Sequence, residues 1–142
     1  HVIEMRIGCS IREFFEREGE AAFRDLEAEL IDELTLDGAC VLSTGGGAIL
    51  REVNRVRLRE RTQSVYLHSA PEEVFRRLRN DQNRPLLQVS DPLARLKELY
   101  SVRDPLYRET SRFVVETGRP SVSTLVNTIL MQLELAGVVQ AH

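Results

Sequence analysis

Lysine is nearly absent from this sequence. Of its 19 basic residues only Lys97 is a lysine, and it lies within a predicted helix. The Walker A pattern Gly-x-x-x-x-Gly-Lys-Ser/Thr, whose lysine contacts nucleotide phosphates, therefore does not occur in the sequence. The other basic residues are all arginine, which binds planar anions through two parallel hydrogen bonds. Arginines beside loops are accordingly candidate ligand contacts.

The sequence also has few cysteines, no long apolar run and no excess of positive charge. Cys9 and Cys40 are too far apart for a CxxC motif, which indicates a reduced, cytoplasmic setting, and no histidine or cysteine spacing predicts a metal site. No apolar run approaches the ~20 residues that span a bilayer, and the first residues, HVIEMRIG, have the pattern of neither a signal peptide nor a transit peptide. The net charge of -3 gives no general reason for nucleic-acid binding. We therefore expect neither a membrane nor a nucleic-acid partner.

The composition is that of an ordinary soluble protein. A length of 142 residues, with 42% hydrophobic and 29% charged residues, is typical of one globular domain. We therefore expect a single domain over residues 1–142. The first residue is histidine and not methionine, and we expect the chain to begin partway through a longer product.

Capping residues and apolar side chains at helical spacing predict six helices. Ser10 and Glu13 have the spacing of a capping box, and Gly19 is expected to end the first helix. A break is expected near Asp104 and Pro105, because the residue before a proline is pushed out of helical geometry. The predicted helices cover residues 10–18, about 20–36, 50–61, 71–79, 93–111 and 123–137.

Three apolar runs predict buried strands at residues 39–44, 64–68 and 112–117. Because these strands alternate with helices, the expected fold is α/β, with a parallel sheet covered by helices on both faces. Three strands are few for such a sheet, so we expect the first strands to be missing upstream. The polar segment 80–92 contains two prolines and predicts a loop.

Three consecutive glycines follow the first predicted strand. Gly45, Gly46 and Gly47 lie where the carboxyl edge of a parallel sheet binds ligands in open α/β folds. Glycine lets a ligand approach the main chain closely, and it lets backbone N–H groups converge on an oxygen atom. The alternative is a tight turn from strand to helix with no ligand. Three glycines in a row favour contact with a ligand.

Four arginines lie beside loop or core signals. Arg84 lies in the predicted loop, where an arginine on a closing segment can neutralise charge on a transferring phosphoryl group. Arg24 lies beside an apolar helix stripe, and Glu27 is its expected partner three residues on. Arg103 precedes the predicted helix break, and Arg77 could reach a nucleotide base. A solvated surface position is the alternative for each loop arginine.

Four motifs, in this order and at this spacing, closely resemble the shikimate kinase family. They are SIREFFEREGEAAFRDLE (10–27), VLSTGGGAIL (41–50), RPLL (84–87) and RDPLYRE (103–109), and the resemblance extends to about Val139. It implies a P-loop nucleoside monophosphate kinase-like fold, which is a three-layer α/β domain with a parallel sheet. It also implies a shikimate-binding region and a lid at about residues 80–92.

The resemblance assigns substrate contacts to residues already singled out. Arg24 and Arg103 would hold the substrate carboxylate, and Glu27 would orient Arg24. Gly46 would offer a main-chain contact to a substrate hydroxyl, with Gly45 and Gly47 beside it. The side chains that would pack around the substrate ring are Ile11, Phe15, Phe23, Pro85 and Leu86.

The resemblance also assigns the nucleotide side of the reaction. Arg84 would be the catalytic lid arginine that contacts the ATP phosphates, and Arg77 would lie near the adenine. In the family, the Walker A loop, the principal Mg²⁺ ligands and a substrate-binding aspartate all precede the point that aligns with His1. We therefore expect ATP and Mg²⁺ as cofactors, with the magnesium ligands upstream of this chain.

The implied activity is transfer of the γ-phosphoryl group of ATP to the 3-hydroxyl of shikimate, in the biosynthesis of chorismate and the aromatic amino acids. The complete protein is expected to be a cytoplasmic monomer. Two alternatives stay open at this point. One is a related small-molecule kinase such as a gluconate kinase, and the other is a catalytically inactive domain that binds a metabolite without a phosphate loop.

Overall fold

The computed structural model of the chain describes residues 2–36, 40–79, 90–118 and 122–137. The chain forms two compact units, His1–Thr62 and Gln63–His142. The expected single domain over residues 1–142 stays a prediction.

The first unit begins with three helices, α1 (Val2–Ile7), α2 (Ile11–Glu18) and α3 (Glu20–Thr35). The Ser10 hydroxyl accepts a hydrogen bond from the backbone N–H of Glu13 at 3.1 Å, which confirms the predicted cap of α2. Gly19 has a φ of 89°, a conformation open mainly to glycine, and it separates α2 from α3. Helices α2 and α3 are therefore as predicted, whereas α1 was not predicted.

A 3-10 turn (Ala48–Leu50) and helix α4 (Glu52–Arg61) complete the description of the first unit. Ile31 of α3, Ala48 of the turn and Leu58 of α4 form a buried apolar cluster, and Leu42 packs against it. The core of this unit thus includes the residue that directly follows the three glycines.

The described part of the second unit contains two parallel strands and three helices. They are β1 (Val65–His68), α5 (Pro71–Arg79), α6 (Pro92–Thr110), β2 (Phe113–Glu116) and α7 (Val122–Leu135). Val65 pairs with Phe113 and His68 pairs with Glu116 in parallel register. Parallel strands need a crossover connection, which here contains α5 and α6. Both strands were predicted, and the α/β class with parallel strands is confirmed.

The strand predicted at residues 39–44 is wrong. Residues 40–44 form no strand in the structure, and Val41 is fully exposed. An apolar run indicates a preference for burial, but a strand also needs neighbouring backbone groups that complete its hydrogen bonds. No such neighbour pairs with residues 40–44 in the described part of the chain.

The predicted helix break near Asp104 and Pro105 is also wrong, because α6 continues through Pro105 to its end. A proline inside a helix removes one backbone hydrogen bond and crowds the carbonyl four residues earlier. The Asp104 carboxylate accepts hydrogen bonds from Tyr66 on β1 and from Arg108 one turn further along α6. The bond from Arg108 spans the position of Pro105, and the bond from Tyr66 joins the residue before the proline to β1.

Candidate active site

Arg24 and Glu27 form a partly buried ion pair on α3. They are three residues apart, so the helix brings them to one face, and Arg24 Nη1 donates to Glu27 Oε1 at 2.9 Å. The Arg24 side chain is 18% exposed and that of Glu27 is 6% exposed. The exposed Glu20 is more distant, with its Oε1 3.8 Å from Arg24 Nε. The predicted pairing is thus present, and it fixes the orientation of a charged guanidinium.

The three glycines pass close to this ion pair. A Cβ atom placed on Gly47 would lie 2.2 Å from Arg24 Nη2, far inside van der Waals contact. A Cβ atom on Gly45 would lie 3.5 Å from Glu27 Oε2, an ordinary contact distance. Gly46 is exposed between them. The sequence suggested that the bare main chain of the glycines allows a ligand to come close. At Gly47, the group that comes close is the side chain of Arg24.

Aromatic rings lie next to the ion pair. The rings of Phe15 and Phe23 are 4.6 Å apart between centroids, and Phe14 meets Phe23 edge to face at 6.4 Å. The Cζ atom of Arg24 lies 5.4 Å from the centre of the Phe23 ring, within the range of a cation–π contact. The first unit therefore brings together the oriented guanidinium of Arg24, the main chain of the three glycines and the apolar rings of the phenylalanines.

Arg103 lies on α6 in the second unit, at the wall of a cavity of about 300 Å³. Tyr66, Tyr100, Asp104 and Tyr107 line the same cavity. Of the arginine side chains that the structure describes, Arg103 is the one with no hydrogen-bond or ion-pair partner. Its guanidinium donors are thus available to an anion that enters the cavity.

A polar network beside Arg103 was missed at the level of sequence. Tyr66 Oη donates to Asp104 Oδ1 at 2.8 Å, and Arg108 Nε donates to both carboxylate oxygens of Asp104 at 3.1 Å. His68 Nε2 lies 2.7 Å from Tyr100 Oη and 3.9 Å from Asp104 Oδ1. The available signal was the spacing of 100, 104 and 107, which puts two tyrosines and an aspartate on one helix face.

This network changes the acid strength of two of its members. Burial, followed by the hydrogen bond to Asp104, raises the pKa of the Tyr66 hydroxyl well above its usual value. Burial acts to raise the pKa of Asp104 as well, but hydrogen bonds from Tyr66 and Arg108 outweigh it and lower that pKa. Tyr66 is therefore a neutral donor and Asp104 an ionised acceptor around neutral pH.

The residues predicted for the nucleotide side are only partly described. Arg77 on α5 donates from Nη2 to the carbonyl oxygen of Thr117, just beyond β2, at 2.7 Å. This bond ties α5 to the carboxyl end of a strand and leaves other guanidinium donors of Arg77 for a ligand. Arg84, Pro85 and Leu86 lie outside the described residues, as does most of the predicted lid at 80–92.

The described ranges hold neither a cluster of metal-binding side chains nor a helix suited to span a membrane. They contain no group of three or more His, Cys, Asp or Glu side chains arranged to hold a metal ion. None of their helices combines the length and the apolar character needed to cross a bilayer.

The described residues of the first unit bring together Arg24, Glu27, Gly45, Gly47, Phe15 and Phe23, with Gly46 in the same turn. Arg77 and Arg103 belong to the second unit. Ile11, the first residue of α2, is partly buried.

Comparison with known proteins identifies one family. A family model described as "Shikimate kinase" matches residues 1–134. A shikimate kinase of Paracidovorax citrulli is 61% identical over 141 residues, covering 97% of this chain and 77% of the relative. One from Ralstonia nicotianae is 55% identical over 139 residues, covering 98% of this chain and 73% of the relative.

Solved structures give the same result. A shikimate kinase from Acinetobacter baumannii, in complex with shikimate, superposes with a TM-score of 0.85 at 43% identity, covering 99% of this chain and 78% of the other. A shikimate kinase from Aquifex aeolicus superposes with a TM-score of 0.80 at 31% identity, covering 96% and 79%. The expected fold of the shikimate kinases is thus confirmed.

Proposed function

Because the chain belongs to the shikimate kinase family, we propose that Arg24, oriented by Glu27, binds the carboxylate of shikimate. The activity is that of an ATP-dependent transferase, which moves the γ-phosphoryl group of ATP to the 3-hydroxyl of shikimate in aromatic amino acid biosynthesis. Catalysis of this kind depends on positioning and on charge stabilisation. The chain's own part in it begins with holding the acceptor.

The state of the Arg24 guanidinium is the observation that carries this proposal. Its Nη1 is used by Glu27, whereas its Nε is buried and has no hydrogen-bond partner among the described residues. A buried donor without an acceptor is costly, and a carboxylate that accepts from Nε and Nη2 would remove that cost. Glu27 meanwhile prevents the guanidinium from rotating away, so the fork is oriented before substrate arrives.

Arg103 is the second proposed contact to the shikimate carboxylate. Its support is the unpartnered guanidinium at the wall of the cavity in the second unit. Unlike Arg24, it has no acidic partner to fix it, so part of its ordering would occur only when the carboxylate binds. Loss of Arg103 should therefore weaken binding less steeply than loss of Arg24.

The glycine turn and the phenylalanines complete the proposed acceptor site. Gly46 is exposed and would offer its main chain to a ring hydroxyl, with Gly45 and Gly47 leaving that backbone accessible. Phe15 and Phe23 would pack against the carbon face of the substrate ring, which supplies apolar contact area that no charged residue can.

The remaining assignments are proposals on the same family grounds. Arg84 would contact the ATP phosphates during transfer, and Arg77 would lie near the adenine. Mg²⁺ is proposed as the metal that neutralises phosphate charge. We also propose a monomer in the cytoplasm, a reducing compartment that suits the free thiols of Cys9 and Cys40.

The binding of the shikimate carboxylate by Arg24 is called the clamp. A coupled assay of ADP release tests the proposed function and the clamp together. We expect the full-length protein to turn over ATP with shikimate and not with gluconate. Arg24→Ala should raise the KM for shikimate roughly tenfold to a hundredfold, the effect of losing charge-assisted hydrogen bonds of about 1.5–3 kcal/mol. The KM for ATP should stay within about twofold, since the change removes no proposed nucleotide contact.

Arg12→Ala is the matched control, because Arg12 is an exposed arginine on α2 that pairs with the exposed Glu16 one turn away. Its kinetics should match those of the unaltered protein. An Arg24→Ala enzyme with an unchanged KM for shikimate would contradict the clamp. Shikimate binding without any ADP release would instead favour the inactive metabolite-binding domain.

A further inference from the structure

Asn54, on the first turn of α4, is buried more completely than its chemistry favours. The residue is 1% exposed, and its Nδ2 donates to the carbonyl oxygen of Ala48 at 2.9 Å. Its Oδ1 is buried and has no hydrogen-bond partner in the described part of the chain. An amide that is only half satisfied adds little net stability to a core. The bond to Ala48 is therefore the feature that distinguishes Asn54 from an apolar side chain of similar size.

Arg55 extends the same pattern by one residue. Its Nη1 donates to the carbonyl oxygens of Ile49 and Leu50, each at 3.0 Å. Two consecutive side chains of α4 thus hold the three successive carbonyls of the 3-10 turn. Carbonyl groups at the end of a short helical turn have no partner within the turn, so side chains that reach back to them fix its position.

The 3-10 turn is joined directly to the glycine that lies against Arg24. The backbone N–H of Ala48 donates to the Gly45 carbonyl and that of Leu50 donates to the Gly47 carbonyl, both at 3.2 Å. A shift of the turn would therefore move Gly47. With only 2.2 Å between a Cβ position on Gly47 and Arg24 Nη2, such a shift would press on the guanidinium or withdraw support from it.

We infer that Asn54 and Arg55 are positioning residues for the shikimate site, acting through the 3-10 turn and Gly47 on Arg24. The chain of contacts runs within the first unit from α4 to α3 and involves no substrate contact by Asn54 or Arg55. The inference rests on the proposed role of Arg24, and its test must therefore include Arg24 itself.

Arg55→Met is the primary variant, because it keeps most of the aliphatic stem and removes both hydrogen bonds to the turn. Titration calorimetry with shikimate on the full-length protein should show a dissociation constant about threefold to tenfold higher. The turnover number and the KM for ATP should stay within about twofold. Arg55→Lys should recover most of the affinity, since an ammonium group can still donate to a carbonyl.

Two further variants bracket this result. Asn54→Asp keeps the size of the side chain but turns a carboxylate oxygen towards the Ala48 carbonyl, so its shikimate affinity should fall at least as far. Arg59→Met, an exposed arginine one turn further along α4, is the matched control and should bind shikimate like the unaltered protein.

Arg24→Ala, measured in the same titrations, separates the positioning role of Asn54 and Arg55 from the carboxylate-binding role of Arg24. If Arg24→Ala weakens shikimate binding and Arg55→Met does not, the positioning role is wrong and the clamp stands. If Arg24→Ala itself leaves the affinity unchanged, the proposed clamp fails. A lower melting temperature of Arg55→Met with unaltered shikimate affinity would likewise assign Arg55 a merely structural role and overturn the inference.

Discussion

Arg24 lies so close to Gly47 that any side chain at that position would overlap its guanidinium. The glycine requirement here comes from space and not from backbone conformation, because the φ of Gly47 is -88°. Glu27 fixes the guanidinium from the other side. Arg24 is thus the residue that links the other two: it crowds Gly47 and is held by Glu27.

Gly47→Ala tests this link. The new methyl group must displace Arg24 from its ion pair with Glu27, so shikimate affinity should fall about tenfold or more, comparable to the loss of a charge-assisted hydrogen bond. Titration calorimetry measures the change. Gly118→Ala is the control, since a Cβ atom there would meet nothing within 4 Å and no positive φ is involved. An affinity for Gly47→Ala equal to that of Gly118→Ala would show that the crowding has no consequence.

At the scale of elements, α6 shows how a helix continues through a proline. Its link to β1 through Tyr66 and Asp104, and the bond from Arg108, brace the helix around Pro105. Arg103 lies on this braced turn, directly before Asp104. The cavity that Arg103 lines is therefore framed by a helix that a partly buried hydrogen bond joins to the strand.

The pH dependence of stability follows from the lowered pKa of Asp104. A carboxyl group whose pKa is lower in the folded state contributes stability above its unfolded pKa, near 3.8, and loses it as the pH falls through the folded value. Asp104→Asn should therefore be less stable than the unaltered protein by about 1–3 kcal/mol at neutral pH. That difference should shrink steadily below about pH 4.

Urea unfolding of both proteins between pH 7 and pH 2 measures this difference. Comparison with Asp104→Asn is needed because Asp32 and Glu33, paired with Arg61 and Arg6, also have lowered pKa values. A difference in unfolding free energy that stays constant down to pH 2 would refute the assignment to Asp104.

Sequence reasoning succeeded where the determining contacts are local. The cap at Ser10, the end of α2 at Gly19 and the pairing of Arg24 with Glu27 all involve residues within four positions of each other. Each could be predicted because helix geometry alone brings those groups together.

It failed where the outcome depends on distant partners. The apolar run at 39–44 predicted a strand, but strand formation depends on neighbouring backbone that a local pattern does not specify. Helix α6 continues through Pro105, and the residue before that proline, Asp104, is hydrogen-bonded to Tyr66, 38 residues away in sequence. The hydrogen bond from Asn54 to the 3-10 turn was missed, because the sequence pattern at residues 50–61 predicts a helix but not which of its side chains is buried.

At the scale of the whole molecule, two compact units divide the residues proposed for the substrate site. Arg24, its glycines and its phenylalanines belong to the first unit, and Arg103 belongs to the second. The chain spans about three quarters of the length of the curated shikimate kinases that it matches, and seven of them are 53–61% identical to it. Family membership accordingly rests on the sequence as a whole, and the clamp rests on particular residues.

Recognition of the shikimate carboxylate by Arg24 is the central claim, and a double comparison of protein and ligand tests it most directly. The full-length protein and Arg24→Ala are each titrated with shikimate and with its methyl ester, which keeps the ring and hydroxyls but lacks the carboxylate charge. The unaltered protein should prefer shikimate by tenfold or more, and Arg24→Ala should lose most of that preference. An Arg24→Ala protein that still prefers the acid over the ester as strongly as the unaltered protein would contradict the account.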